Sequence, residues 1–161
     1  MEKRERPKEK EEAHNVLIRP QILVVEDDES TREMMSFLLK PLGSSMLSVQ
    51  TAHQALQLVK SRRFDLYILD GWLPQIDGYA LCKRIRMVDP VGRILFYSGA
   101  ARSADIERAK LAGADAYVIK PDIEGLISRV QELVKKSGPR YSQCVVPSHK
   151  PDYVFIAARV S

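Results

Sequence analysis

Carboxylates, a hydroxyl and a lysine end four separate apolar runs in this sequence. Glu26 and Asp27 follow the run QILVV, Asp70 ends FDLYILD, Ser98 ends RILFYS, and Lys120 ends AYVIK. Such runs predict buried strands, and the carboxyl ends of parallel strands in an open α/β sheet form the edge where ligands bind. We therefore expect three carboxylates, one hydroxyl and one ammonium group to converge at this edge.

Three carboxylates at one edge repel one another, by about 4 kcal/mol for each pair 4 Å apart at an effective dielectric constant near 20. Lys120 offsets only part of this repulsion. A hard divalent cation with oxygen ligands offsets the rest, and Mg²⁺ (or Mn²⁺) suits a site with few direct carboxylates. The three histidines, His14, His53 and His149, all lie away from the strand ends, so zinc is not expected.

Carboxylates, a divalent cation and a lysine together are typical of phosphoryl transfer. A carboxylate can act as the nucleophile and form an aspartyl-phosphate, and Asp70 is the candidate acceptor. Lys120 would stabilise charge on the phosphoryl oxygens, and Ser98 can donate a hydrogen bond to one of them. The first helix, expected to open at Ser30, would direct free N–H groups toward the same edge.

Apolar strands and amphipathic helices alternate five times between residues 21 and 137. Two helix starts carry capping-box signals, Ser30 with Glu33 and Thr51 with Gln54. The alternation predicts a (βα)5 three-layer sandwich in which a parallel five-stranded sheet lies between helices. Two strand orders are plausible, and we predict 2-1-3-4-5, the flavodoxin-like one.

The two ends of the 161-residue chain differ in composition from its middle. Residues 1–20 are charged and punctuated by proline, which predicts a disordered extension. Residues 138–161 are too few for a separate output domain, although the segment DYVFIAARV favours a strand. We therefore expect one domain, over 21–137, with two short tails.

The remaining composition bears on location and partners. The two cysteines, Cys82 and Cys144, lie far apart, and neither a signal-peptide core nor a run of 18 apolar residues is present. These features predict a cytoplasmic protein with reduced thiols and no membrane span. The net charge of +4 is not concentrated in a Lys/Arg block, so direct DNA binding is not expected.

Four motifs in order, ILVVEDD, DLYILDGWLPQIDG, FYSGA and AYVIKP, resemble the receiver domain of bacterial two-component response regulators. The resemblance covers about residues 20–137 and implies that Asp70 accepts a phosphoryl group. The donor would be the phosphohistidine of a sensor histidine kinase or of a histidine phosphotransfer protein. The resemblance also implies that Glu26, Asp27, Asp70 and the Trp72 backbone carbonyl bind Mg²⁺.

The resemblance further implies a conformational switch. Ser98 would be the switch hydroxyl, Lys120 the phosphate-binding lysine and Tyr117 the switch aromatic, and a cis peptide bond would precede Pro121. Phosphorylation would change the affinity of the face formed by helix 4, strand 5 and helix 5 for a downstream protein, and a homodimer is compatible with this. The chain would be a stand-alone regulator of the chemotaxis type, not an enzyme, although it would catalyse its own phosphorylation and dephosphorylation.

Three residues depart from the family's commonest pattern. Glu26 stands where Asp is more frequent, and its longer side chain can still bind Mg²⁺. Ser98 replaces the commoner Thr but keeps the hydroxyl. Trp72 lies two residues after the acceptor, where its bulk would screen the phosphoryl group from water or hinder the kinase.

Other interpretations compete with this one. A haloacid-dehalogenase-type phosphatase also uses a strand-end Asp, but it carries a second Asp two residues later, where this chain has Trp72. A receiver-like interaction module that works without phosphorylation remains the main alternative, and the intact acidic set argues against it. Taken by itself, Asp70 is compatible with an ordinary turn residue and Lys120 with an ordinary surface lysine. Tyr117 is about as compatible with a role in core packing as with a role in the switch.

Overall fold

The structure is a computed structural model that describes residues 19–137. Five strands and five α-helices alternate, as the sequence predicts, and a short 3₁₀ helix at Lys40–Leu42 follows the first α-helix. The expectations for residues 1–18 and 138–161, including the strand-prone segment and Cys144, lie outside the described residues. The elements are β1 (Gln21–Val25), α1 (Glu29–Leu39), β2 (Ser45–Val49), α2 (Ala52–Ser61), β3 (Leu66–Leu69), α3 (Gly78–Val88), β4 (Arg93–Ser98), α4 (Ser103–Ala112), β5 (Ala116–Ile119) and α5 (Ile123–Ser137).

The five strands form one sheet in the order β2-β1-β3-β4-β5, and all neighbours are parallel. This order confirms the predicted flavodoxin-like (βα)5 fold with strand order 2-1-3-4-5. The register of the central pairs aligns Val25 with Leu69, the last residues of β1 and β3. The residues that follow these two strands therefore emerge side by side at the same edge.

Successive strand residues face opposite sides of the sheet and build two separate cores. Ile22 and Val24 join the core beneath α1 and α5, whereas Leu23 and Val25 join the core beneath α2, α3 and α4. All four are fully buried. A strand that is apolar on both faces is therefore explained by helices on both sides, as a parallel sheet requires.

The observed helix cap agrees with the sequence-based prediction for α2 and differs from it for α1. The capping box of α2 is confirmed, because Thr51 and Gln54 bond each other's backbone N–H groups at 3.2 Å. The expected Ser30–Glu33 box is wrong: α1 begins at Glu29, and the Asp28 carboxylate caps it by accepting from Thr31 N at 2.7 Å. Asp28 has the extended backbone that a cap needs, which leaves Ser30 inside the first turn.

Replacing Thr51 with alanine will lower the free energy of unfolding by about 1 kcal/mol, because the N–H of Gln54 loses its acceptor. Urea unfolding monitored by circular dichroism measures the change. Thr51→Ser keeps the acceptor oxygen and is the matched control. Equal losses in the two variants would show that the methyl group, not the cap, matters here.

Two further observations concern Cys82 and the length of the helices. Cys82 is a free and buried thiol, and burial raises its pKa to about 11, so it stays protonated at neutral pH. Within residues 19–137, no helix combines the length and the apolar character needed to cross a membrane.

Candidate phosphoryl-acceptor site

Three carboxylates meet where β1 and β3 end. One oxygen from each of Glu26, Asp27 and Asp70 lies within 4.8 Å of the others. The hydrogen bonding between β1 and β3 continues past the ends of the strands, because Asp70 N donates to Val25 O at 3.0 Å. This bond holds the two strand ends together. Glu26 is 1% exposed and Asp70 is 7% exposed, whereas Asp27 is exposed to solvent. The structure thus brings together the acidic residues that the sequence singles out.

Lys120 completes the cluster from the end of β5. Its Nζ donates to Glu26 Oε2 at 2.6 Å and to Asp70 Oδ2 at 2.9 Å. Its backbone N–H donates to Ser98 O at 2.9 Å, which continues the ladder between β4 and β5. Because β4 lies between β3 and β5, the lysine side chain has to span the end of β4 to reach both carboxylates.

Burial and charge set the pKa values in this cluster. Burial raises the pKa of Glu26 and the charge of Asp70 adds to the rise, while the hydrogen bond from Lys120 opposes it. For Lys120, burial by itself lowers the pKa, but its hydrogen bonds to Glu26 and Asp70 outweigh burial and the net shift is upward. Lys120 is therefore a firmly charged ammonium group at neutral pH.

The cluster has the chemistry of a magnesium site. Its donors are all carboxylate oxygens, which Mg²⁺ and Mn²⁺ prefer, and Asp27 lies on the open side. Lys120 occupies one oxygen of Glu26 and one of Asp70, so each keeps a second oxygen. The cluster could therefore hold a divalent cation. The Trp72 carbonyl as a further ligand remains a prediction.

The loop after β3 holds the acceptor carboxylate in place. Trp72 N donates to Asp70 Oδ1 at 3.2 Å, and Gly78 N donates to Gly71 O at 3.1 Å, which closes the loop onto α3. Asp77 caps α3 by accepting from Ala80 N at 2.7 Å. The indole of Trp72 is 62% exposed and stands at the rim of the site.

Ser98 and Tyr117 meet at the loop after β4. Ser98 is fully buried, and its Oγ accepts from Ala100 N at 3.4 Å. Tyr117 donates its hydroxyl to Ala100 O at 2.7 Å, and its ring stacks on Phe96 at 5.8 Å between centroids. Tyr117 therefore packs against the core and is also linked to Ser98 through Ala100. The neighbouring Lys120–Pro121 peptide bond is cis.

Two further residues lie at the site although the sequence does not single them out. Arg32 of α1 donates from one guanidinium nitrogen to the carbonyl oxygens of Glu26 and Asp27, both at 2.8 Å, and so braces the acidic loop. Tyr79 of α3 is buried beside Gly71. Arg32 sits where a solvated arginine is ordinary, and Tyr79 fits the apolar period of its helix, so the sequence carries no signal for either.

Comparison with known proteins shows which family the chain resembles in sequence. Residues 22–131 match the model of the response regulator receiver domain. The chain is 33% identical over 121 residues to the transcriptional regulatory protein AfsQ1 of Streptomyces coelicolor, which covers 73% of this chain and 52% of that protein. The chain spans about half the length of the curated relatives it matches.

Solved structures agree with this match. A CheY-like response regulator receiver domain protein from Methanospirillum hungatei superposes with a TM-score of 0.70 at 25% identity, covering 74% of this chain and 96% of that one. The signal receiver domain of an HD domain-containing protein from Pseudomonas fluorescens gives a TM-score of 0.71 at 31% identity, covering 78% and 94%. The chain belongs to the response regulator receiver domain family of two-component signalling.

Proposed function

We propose that Asp70 accepts a phosphoryl group from the phosphohistidine of a sensor histidine kinase or a histidine phosphotransfer protein. The observation that carries this proposal is the shielded Asp70 carboxylate, which lies 2.9 Å from the Lys120 ammonium group and within the acidic cluster. This donor also implies a cytoplasmic location. We assign both the phosphorylation and the conformational change that follows it to residues 21–137.

The transfer requires the Lys120 contacts to rearrange. A carboxylate oxygen of Asp70 attacks phosphorus, the N–P bond of the phosphohistidine breaks, and the imidazole keeps the electron pair of that bond. Lys120 then leaves its ion pair with Asp70 and binds a phosphoryl oxygen, while the Ser98 hydroxyl donates a hydrogen bond to another. When bound by Glu26, Asp27, Asp70 and the Trp72 carbonyl, Mg²⁺ (or Mn²⁺) supplies positive charge against the phosphoryl oxygens.

Phosphorylation adds a charge of about −1.5 to −2 next to Ser98, and this charge biases the packing of the loop after β4. Ala100 is hydrogen-bonded both to Ser98 and to Tyr117 of β5. A shift of Ser98 is therefore transmitted to β5, an edge strand of the sheet. A groove between α4 and α5 lies there, and its lining includes Ile106, Tyr117 and Ile119. We assign the binding of a downstream protein, or of a second copy of the chain, to this face.

Replacing Asp70 with asparagine will abolish phosphoryl uptake, because the amide is a poor nucleophile. The measurement is intact mass after incubation with acetyl phosphate and Mg²⁺. Wild type should gain one phosphoryl group, and the gain should disappear when EDTA removes the metal. Asp122→Asn, an exposed carboxylate at the start of α5, is the matched control and should retain the gain.

A short-lived adduct has to be distinguished from no adduct. Beryllofluoride, which forms a stable complex in place of the phosphoryl group, serves this purpose in the presence of Mg²⁺. If wild type neither gains mass nor binds beryllofluoride, the proposed phosphorylation is wrong, and the chain is better described as a receiver-like module that binds partners without phosphorylation.

A further inference from the structure

The hydroxyl group of Tyr79 is buried and unpaired. Tyr79 is 3% exposed, and its hydroxyl has no hydrogen-bond partner among residues 19–137. Burial and the nearby hydroxyl of Tyr117 raise the pKa of Tyr79, but the Tyr117 hydroxyl already donates to Ala100 O at 2.7 Å and makes no hydrogen bond with the Tyr79 hydroxyl. Folded proteins rarely leave a buried hydroxyl without a partner, so this one needs an explanation.

The hydroxyl faces the backbone of the residue that follows the acceptor. A Cβ placed on Gly71 would lie 3.2 Å from the Tyr79 hydroxyl oxygen and 2.8 Å from Ser98 Oγ. The two hydroxyls therefore face the same small space beside Gly71, one from α3 and one from the end of β4. Rotation of the single side-chain torsion of Ser98 changes the distance between them.

The ring of Tyr79 is held on both faces. It stacks on Phe96 with 5.1 Å between centroids and an interplanar angle of 21°. The guanidinium carbon of Arg108 lies 4.2 Å from the ring centroid, and Arg108 is itself paired with Asp77 at the start of α3. A ring fixed in this way keeps its hydroxyl in one place, so the movable partner in the space is Ser98.

We propose that Tyr79 is a positioning residue for Ser98 in the phosphorylated protein. When the Ser98 hydroxyl donates a hydrogen bond to a phosphoryl oxygen on Asp70, the Ser98 oxygen accepts a hydrogen bond from the Tyr79 hydroxyl. The chain from Tyr79 to Ser98 to the phosphoryl group is cooperative, because each donor is polarised by the next. This inference rests on the proposed function.

The unpaired hydroxyl also biases the switch. The unphosphorylated protein carries a buried donor without an acceptor, and the phosphorylated protein satisfies it. A difference of this kind shifts the population toward the phosphorylated packing, since only one of the two states gains the bond.

The test is a double-mutant cycle with Tyr79→Phe and Ser98→Ala. The probe is beryllofluoride with Mg²⁺, and binding is followed by the fluorescence of Trp72, the single tryptophan, two residues from the acceptor. Tyr79→Phe removes only the hydroxyl and keeps the ring between Phe96 and Arg108. We expect it to weaken binding ~5-fold when Ser98 is present, the effect of one neutral hydrogen bond, and to have no effect when residue 98 is alanine.

Two results would overturn the inference. Equal weakening in both backgrounds would show that Tyr79 acts through general packing, and no weakening in either would show that the hydroxyl is not used. Failure of wild type to bind beryllofluoride would instead remove the proposed function on which the inference rests. The wild-type titration therefore distinguishes the two kinds of failure.

Stability of the free protein provides a second and independent readout. Because the Tyr79 hydroxyl is unpaired, Tyr79→Phe should leave the Tm unchanged or raise it. Tyr67→Phe is the matched control, since the Tyr67 hydroxyl donates to the buried Asp89 carboxylate at 2.8 Å, and it should lower the Tm. A similar fall in both variants would show that Tyr79 is already paired in the free protein, which contradicts the inference.

Discussion

Replacing Lys120 with methionine will lower the free energy of unfolding at pH 7 by about 3 kcal/mol, because it leaves buried carboxylates without their partner. Lys120 is bonded to Glu26 at 2.6 Å and to Asp70 at 2.9 Å, and both carboxylates are almost completely shielded from water. Methionine keeps most of the volume and removes the charge. Chemical unfolding in urea measures the loss, and Lys83→Met, on an exposed face of α3, is the control.

The loss will depend on pH in a defined direction. The pKa of Lys120 is raised in the folded protein, so its stabilisation is complete at neutral pH and disappears only as the pH rises through that raised value. In the variant, the pKa of Glu26 rises further, because burial already raises it and the opposing hydrogen bond from Lys120 is gone. A carboxyl whose folded pKa is raised favours folding in acid, so the deficit of the variant will shrink as the pH falls from 7 toward 5.

Magnesium will restore part of the stability that Lys120→Met loses. The variant keeps all three carboxylates and lacks the cation that competes for Glu26 and Asp70. Millimolar Mg²⁺ should therefore raise its Tm more than it raises the Tm of wild type. An equal rise in both proteins, or a deficit that does not change with pH, would show that packing and not charge explains the loss.

Replacing Gly78 with alanine will displace the acceptor loop and lower stability by about 3 kcal/mol, in the range of strongly strained sites. A Cβ on Gly78 would overlap the carbonyl oxygen of Asp70 and lie 2.9 Å from its carbonyl carbon and 3.1 Å from the Gly71 Cα. These are backbone atoms and cannot turn aside as a side chain does. The loop must move, and the hydrogen bond from Gly78 N to Gly71 O is lost or lengthened.

The matched control is Gly99→Ala, in the loop after β4 of the same edge. A Cβ on Gly99 meets nothing within 4 Å, so this variant should unfold close to wild type. Urea unfolding and mass after acetyl phosphate treatment together give the comparison. Gly78→Ala should lose both stability and phosphoryl uptake, and a variant that keeps both would contradict the close approach of α3 to the acceptor.

Much of the site follows from the sequence, because it depends on where strands end. The runs QILVV and RILFYS match β1 and β4 residue for residue, with proline, glycine or a carboxylate residue next to each end. Each run is apolar on both faces, and this predicts a parallel sheet. Once the sheet is parallel, Glu26, Asp70 and Lys120 have to lie at one edge, whichever of the two strand orders is correct.

The tertiary structure decided what local patterns leave open. Asp28 and Ser30 both have side chains that can cap a helix, and only the extended backbone of Asp28 selects it. The strand order depends on which helices cross which face of the sheet, a long-range choice that no short segment contains. Tyr79 fits the apolar period of α3, but the place of its hydroxyl depends on how closely Gly78 lets that helix approach Asp70. Residue types and spacing determined the chemistry at the strand ends, and packing between distant segments decided which side chains surround it, because those contacts exist only once the layers are assembled.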